Sequence, residues 1–199
     1  LQFKMFGTHR VPEGWIIVAA GNPPEYNRSV RPFDMVTLDR VRMIEVEADL
    51  DVWMNYAADK HVHGVILSYL QLRKNNFYRV ETDVDGLRYV TARGWEDLSA
   101  LMQVYEELDI PVTEDVIREY LRLPDVAEDF SAYYDLYRKY KDDYGIHEIL
   151  RGSAQPAVYE RLLKAGFDER VAVVNLLLDA LKEPLDRIFE KKLFTGTPE

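Results

Sequence analysis

Three polar residues in this chain stand where work on a phosphate chain would need them. Asn22 ends the apolar run of "IIVAAGNPPEYNR" at a Pro-Pro turn, Arg40 follows "TLD", and Arg93 lies in "VTARGWEDLS". Ligands of open α/β sheets gather at the carboxyl ends of strands, so Asn22 is placed for polar chemistry. Its amide can orient a water or a γ-phosphate without adding charge. Arginine is always charged and offers a planar fork of donors to phosphate oxygens. One amide and two arginines, in that order, suit the handling of a polyphosphate. Each also has a plainer role. Asn22 can simply shape the Asn-Pro turn. Arg40 can pair with Asp34 or Asp39, and Arg93 with Glu96 or Asp97, as ordinary surface ion pairs.

Other chemistries are poorly served. Cysteine is absent, which excludes disulfides, thiol nucleophiles and thiolate metal sites and suits a reducing cytoplasm. No Gly-x-Ser-x-Gly elbow and no Gly-Lys dipeptide occurs, so neither a serine-hydrolase turn nor a phosphate loop is present in this sequence. His147-Glu148 lacks the second histidine of a zinc helix, and His61 with His63 lacks a third ligand nearby; no metal site is expected. The many carboxylates read as solvated helix faces.

The elements that must position the three residues follow from composition and pattern. The chain has 199 residues, 47% hydrophobic and 30% charged, as a globular protein would. Its 25 Lys and Arg against 35 Asp and Glu leave a net charge of −10, which repels phosphate backbones and argues against nucleic-acid binding. The longest apolar run, "VAVVNLLLDAL", is broken by Asn175 and Asp179, so no membrane insertion is expected. No signal-peptide pattern is visible, and a cytoplasmic protein is expected. The sequence starts at Leu1, not Met, and reads as the continuation of a longer chain.

Residues 1–47 read as mixed α/β. Trp15 to Ala20 suits a strand buried on both faces, and Met43 to Val46 a second. Two strands do not make a stable sheet, so this region asks for partners. From Ala48 the character is helical. Asp49 caps a helix with Val52, Trp53, Tyr56 and Ala57 on one face, and a second helix runs from Gly64 to Leu72. A β-hairpin over about 77–91 follows, with Asp85-Gly86 as its tight turn. Thr91 caps a helix carrying Trp95, Leu98, Met102 and Tyr105; Pro111 and Thr113 open a short helix to Arg122. Pro124 ends it, and Asp125 with Glu128 resembles a capping box.

Val126, Phe130, Tyr133, Tyr137, Tyr140 and Tyr144 then form a helical stripe, and five of the 13 tyrosines fall between Tyr133 and Tyr144. Such a stripe suits a core or an oligomer contact, and burial within the chain is the expectation. A short helix in "RGSAQPAVYERLLKAGF" is closed by Gly166. Asp168 caps a last long helix with Val171, Val174, Leu178, Leu181, Leu185 and Ile188 on one seam, kinked or restarted at Pro184. The predicted fold is mainly α with some β.

The stretch "IIVAAGNPPEYNRSVRPFDMVTLDRV" closely resembles the sensor-1 to arginine-finger region of the MoxR group of AAA+ ATPases, and "VTARGWEDLS" resembles their sensor-2 helix. The resemblance is strongest over Gly14 to Val46 and Thr91 to Ser99 and extends to the helices up to Tyr144. It implies that Asn22 is sensor 1, that Arg40 is the finger reaching a neighbouring subunit, and that Arg93 is sensor 2 and contacts the nucleotide. Thr91-Ala92 replaces the family's Ser-Pro before the sensor-2 arginine. The Walker A and Walker B motifs, which precede sensor 1 in the family, do not occur; the one Asp-Glu pair, Asp168-Glu169, begins a helix.

The resemblance thus implies the C-terminal part of such an ATPase. It comprises a remnant of the nucleotide-binding core over 1–47 and a helical lid over 48–199 with a hairpin insert. The parent would use ATP and magnesium in a homo-oligomeric ring, a hexamer, to remodel or assemble a partner, with a von Willebrand factor A-domain protein among the possible partners. Residues 1–199 alone are not expected to hydrolyse ATP. The alternative is a non-enzymatic, acidic helical interaction module.

Overall fold

A computed structural model describes residues 5–21, 33–84 and 86–194, which belong to two units, Leu1–Glu47 and Ala48–Glu199. In the first unit, β1 (Met5–Phe6) and β2 (His9–Arg10) pair antiparallel, Met5 with Arg10 and Phe6 with His9. A single helical turn, α1 (Met35–Leu38), is capped by Asp34, whose Oδ1 accepts from the Thr37 N–H at 2.7 Å. No described residue of this unit is buried.

The two expected strands, Trp15 to Ala20 and Met43 to Val46, are not strands; both segments are irregular and exposed. Ile16 is 84% and Val18 85% accessible. The residue types favour a buried strand, but a strand exists only where a neighbour completes its ladder and covers its faces. No described segment of the unit does so.

The second unit holds the core. In α2 (Leu50–Asp59) the Asp49 Oδ1 accepts from the Val52 N–H, and Trp53 and Ala57 point inward. The expected face is narrower than its pattern, since Val52 and Tyr56 are exposed. Helix α3 (Gly64–Leu72) is apolar nearly all round and correspondingly buried, with Val65, Ile66, Tyr69 and Leu70 inside. A 3₁₀ turn at Lys74–Asn76 leads into the hairpin of β3 (Arg79–Asp83) and β4 (Gly86–Val90). Arg79 pairs with Val90 and Asp83 with Gly86, so Gly86 belongs to the ladder and the turn precedes it. Its φ of 124° is open only to glycine at low cost.

Helix α4 (Ala92–Glu107) is capped by Thr91 and sends Trp95, Leu98 and Met102 into the core. Helix α5 (Glu114–Tyr120) is capped by Thr113. Pro124 does not merely end that helix; it is the first residue of α6 (Pro124–Tyr144), where its fixed φ is pre-set for a helix. Leu123 is therefore the N-cap and no capping box forms. Asp125 instead accepts from Arg79 of β3 at 2.8 Å. The tyrosine stripe is core: Phe130, Tyr134, Tyr137 and Tyr144 are buried, Tyr133 and Tyr140 partly so. Phe130 meets Tyr69 and Trp95 edge-on, each at 5.2 Å between ring centroids.

Three helices complete the unit: α7 (Ile146–Leu150), α8 (Pro156–Lys164) and α9 (Phe167–Phe194). Ala165, not Gly166, caps α8. Helix α9 begins at Phe167, so Asp168 lies in its first turn and is not its cap; it meets Arg73 at 3.6 Å. The helix is assigned as one element through Pro184. The expected seam is also corrected. Ala172, Val173 and Leu176 enter the core, whereas Val174, Leu178, Leu181 and Leu185 are exposed. Periodicity identifies an apolar stripe, but not which of two stripes a core will cover. Among the described residues the architecture is mainly α with two small antiparallel pairs. No described helix is long and apolar enough to cross a membrane.

Candidate functional site

Arg93 owes its position to its neighbours in sequence. Thr91 Oγ1 accepts from the Gly94 N–H at 3.3 Å, which starts α4 and places Arg93 in its first turn. Gly94 allows that turn to sit against the end of α5: a β-carbon there would lie 2.9 Å from the Tyr120 carbonyl oxygen. Nearby, the Arg122 N–H donates to the Tyr89 carbonyl at 3.1 Å, and the Arg122 guanidinium lies 5.4 Å from the Tyr89 ring centroid. β4, the start of α4 and the end of α5 are thus fastened together.

The Arg93 side chain is exposed and makes no ion pair or hydrogen bond among the described residues. Glu96, which could have neutralised it, accepts instead from the Tyr56 hydroxyl at 2.8 Å. That bond raises the Tyr56 phenol above its ordinary range. A permanent cation at the amino end of a sixteen-residue helix, with its charge unspent, can receive an anion.

Arg40 is placed differently. Its Nη1 donates to the Val36 carbonyl at 2.6 Å, folding the side chain back along α1. Asp34 Oδ1 accepts from the Thr37 N–H, and among the described residues Arg40 makes neither of the plainer ion pairs, with Asp34 or with Asp39. Arg40 belongs to the first unit and Arg93 to the second, and each is described within its own unit. Asn22 lies outside the described residues.

The histidines diverge. His63 caps α3 through Nδ1, which accepts from the Val65 N–H at 3.2 Å, so its proton lies on Nε2, 3.2 Å from Glu106 Oε1. Its backbone N–H donates to Ser99 Oγ at 2.8 Å. The hydrogen bond with His63 holds the Glu106 carboxyl below its ordinary range, outweighing the opposing effect of burial. His61 adopts a left-handed φ of 57°, and its carbonyl accepts from Gln103. No three His, Asp or Glu side chains among the described residues group as metal ligands would.

Sequence reasoning missed a set of phenol–carboxylate contacts that tie α6 to its neighbours. Tyr69 donates to Asp129 at 2.7 Å, Tyr137 to Asp179 at 3.0 Å, and Tyr144 to Glu169 at 2.7 Å. Burial, then the Glu169 contact, pushes the Tyr144 phenol up to about 12, and burial pushes Tyr133 to about 12. The Tyr69, Tyr137 and Tyr144 hydroxyls act here as donors to carboxylates, while Tyr133 shares its hydrogen bond with the Ser68 hydroxyl at 2.6 Å. Arg161 lies 4.5 Å from the Tyr144 ring centroid and is shared between Asp143 and Glu169, both at 3.2 Å. It edges an open concavity of ≈ 420 Å³ together with Lys164 and Glu160. Its charge is already matched, unlike that of Arg93. No spacing in the sequence signals this cluster, because Arg161 and Asp143 meet across two helices.

No protein-family model, curated protein or solved structure matches the chain.

Proposed function

We propose that this chain carries the C-terminal portion of a MoxR-like AAA+ ATPase. The parent couples ATP binding and hydrolysis to chaperone-like remodelling or assembly of a partner protein within a homo-oligomeric ring. The observation that carries this reading is Arg93, exposed and unpaired among the described residues in the first turn of α4 while Glu96 is taken by Tyr56. As sensor 2 it contacts the phosphates of a nucleotide held by its own subunit. Arg40, whose side chain among the described residues donates only to a backbone carbonyl, is the finger for a neighbouring site, and Asn22 is sensor 1. The phosphate loop and the acidic strand that hold the phosphates and magnesium belong to sequence preceding Leu1. The partner is an assembly client, with a von Willebrand factor A-domain protein as the first to try. The outward apolar face of α9 favours a second reading, an acidic helical interaction module without enzymatic activity.

The complete reading frame separates the two. The ATPase requires a Gly-x-x-x-x-Gly-Lys-Ser/Thr loop and then an apolar strand ending in Asp-Glu upstream of Leu1. In the protein so encoded, Arg40→Ala should lower turnover roughly a thousandfold, as loss of a trans arginine does in GTPases. Mixing Arg40→Ala subunits with subunits dead in Walker B should restore part of the activity, because the neighbour supplies the finger. Arg93→Ala subunits should gain nothing from the same mixture. A reading frame without the loop, or equal rescue of both variants, would defeat this assignment.

A further inference from the structure

Glu96 stands three residues after Arg93 on α4, a spacing at which a carboxylate and a guanidinium meet along one helix face. No ion pair joins them among the described residues. Glu96 Oε1 accepts instead from the Tyr56 hydroxyl of α2 at 2.8 Å. A phenol is a neutral donor near pH 7, and the Glu96 hydrogen bond raises the Tyr56 hydroxyl further, so the proton stays on its oxygen. The carboxylate is thereby satisfied without a counter-charge. The cation three residues away keeps its own.

Stability does not account for this choice of partner. Tyr56 is 41% accessible, and the buried residues of α2 are Trp53 and Ala57. An exposed hydrogen bond contributes little to folding, about as little as the i,i+3 ion pair whose place it takes. The two arrangements differ in what they leave at Arg93. Paired with Glu96, the guanidinium would commit donors and lose much of its field. With Glu96 drawn towards α2, those donors stay available to an anion. Lys60 Nζ lies 5.9 Å from the Tyr56 ring centroid, a contact that a phenylalanine ring would retain. The hydroxyl alone is therefore the group that holds Glu96.

We propose that Tyr56 is a positioning residue for the anion contact of Arg93: its hydroxyl holds Glu96 towards α2 and so keeps the guanidinium open to phosphate oxygens. The proposal rests on the reading of Arg93 as a phosphate contact and adds the residue, on another helix, that controls its charge. Nuclear magnetic resonance of residues 1–199 tests the two parts separately, through the Arg93 Nε–Hε signal. Without any anion, Tyr56→Phe should move that signal. Adding Glu96→Gln to Tyr56→Phe should return it to its native position, since the amide has no charge to pair. Asp97, the other acid within reach of Arg93, is present in every variant and cannot account for the difference. Inorganic tripolyphosphate at low salt should then shift the signal in the native chain. Tyr56→Phe should weaken that binding about twofold, and Glu96→Gln in the same chain should restore it. Far-ultraviolet circular dichroism should show each variant folded, because neither side chain enters the core. An Arg93 signal that Tyr56→Phe leaves in place, or a change that Glu96→Gln does not reverse, would overturn the positioning role and leave the nucleotide reading standing. Tripolyphosphate that leaves the Arg93 signal unmoved, in the native chain and in Glu96→Gln alike, would overturn both.

Discussion

Gly64 and Asp179 occupy nearly the same space: a β-carbon on Gly64 would lie 1.6 Å from Asp179 Oδ2. The bare backbone at the start of α3 is what lets the α9 carboxylate come in and accept from the Tyr137 hydroxyl at 3.0 Å. Three helices, α3, α6 and α9, are joined at that point, and only a residue without a side chain allows it.

Gly64→Ala should therefore destabilise the unit, although alanine is the better helix former. The displaced carboxylate leaves the buried Tyr137 hydroxyl without its partner, a loss of about 1–3 kcal/mol. Helix propensity returns at most about 1 kcal/mol. A net loss of about 1–2 kcal/mol in urea unfolding is expected, shrinking to a few tenths in a Tyr137→Phe background. Equal effects in both backgrounds would show that Asp179 swings aside without consequence.

The two core tryptophans should behave differently. Trp95 Nε1 donates to the Phe77 carbonyl at 3.1 Å, whereas the buried Trp53 Nε1 has no partner among the described residues. Trp95→Phe strands a buried carbonyl and should cost about 1–3 kcal/mol beyond the lost packing. Trp53→Phe removes an unsatisfied donor, so its packing loss should be largely offset, leaving a cost under about 1 kcal/mol. Thermal or urea unfolding of the two variants decides the matter. Equal costs would mean that the Trp53 N–H is satisfied in solution.

Glu106 makes stability depend on acid. Its folded-state pKa lies below the ordinary value of 4.5 because His63 hydrogen-bonds to it. A depressed carboxyl contributes stability that is present above the unfolded pKa and is lost as pH falls through the folded one. Urea midpoints of the native chain should thus fall below about pH 4.5 more steeply than those of Glu106→Gln. Parallel acid slopes would show that the contact does not favour the ionised form.

Much of the helical unit was legible residue by residue. Asp49, Thr91 and Thr113 start helices as their types predict, Gly64 to Leu72 is a helix, and the hairpin occupies the predicted stretch. These signals act within a few residues, between a side-chain oxygen and an N–H three positions on or along one face of a single helix. Arg93 could be placed on the first turn of α4 for the same reason. That it has no ion-pair partner among the described residues could not, because the competing use of Glu96 comes from Tyr56, far off in sequence.

Tertiary structure decided the rest. Asp125 was free to close a capping box and is held by Arg79 of the hairpin instead. Both faces of α9 are apolar, and the pattern favoured the seam through Leu178. The core took the opposite face, where Gly64 admits Asp179 and Gln71 meets Asn175 across the α3–α9 contact. Trp15 to Ala20 shows the limit from the other side. Its residues are chosen for a strand, but a strand's hydrogen bonds and cover belong to its neighbours. Local chemistry determined where helices begin and which residues can be apolar together; long-range partners decided which of those faces is buried and which polar group is left free.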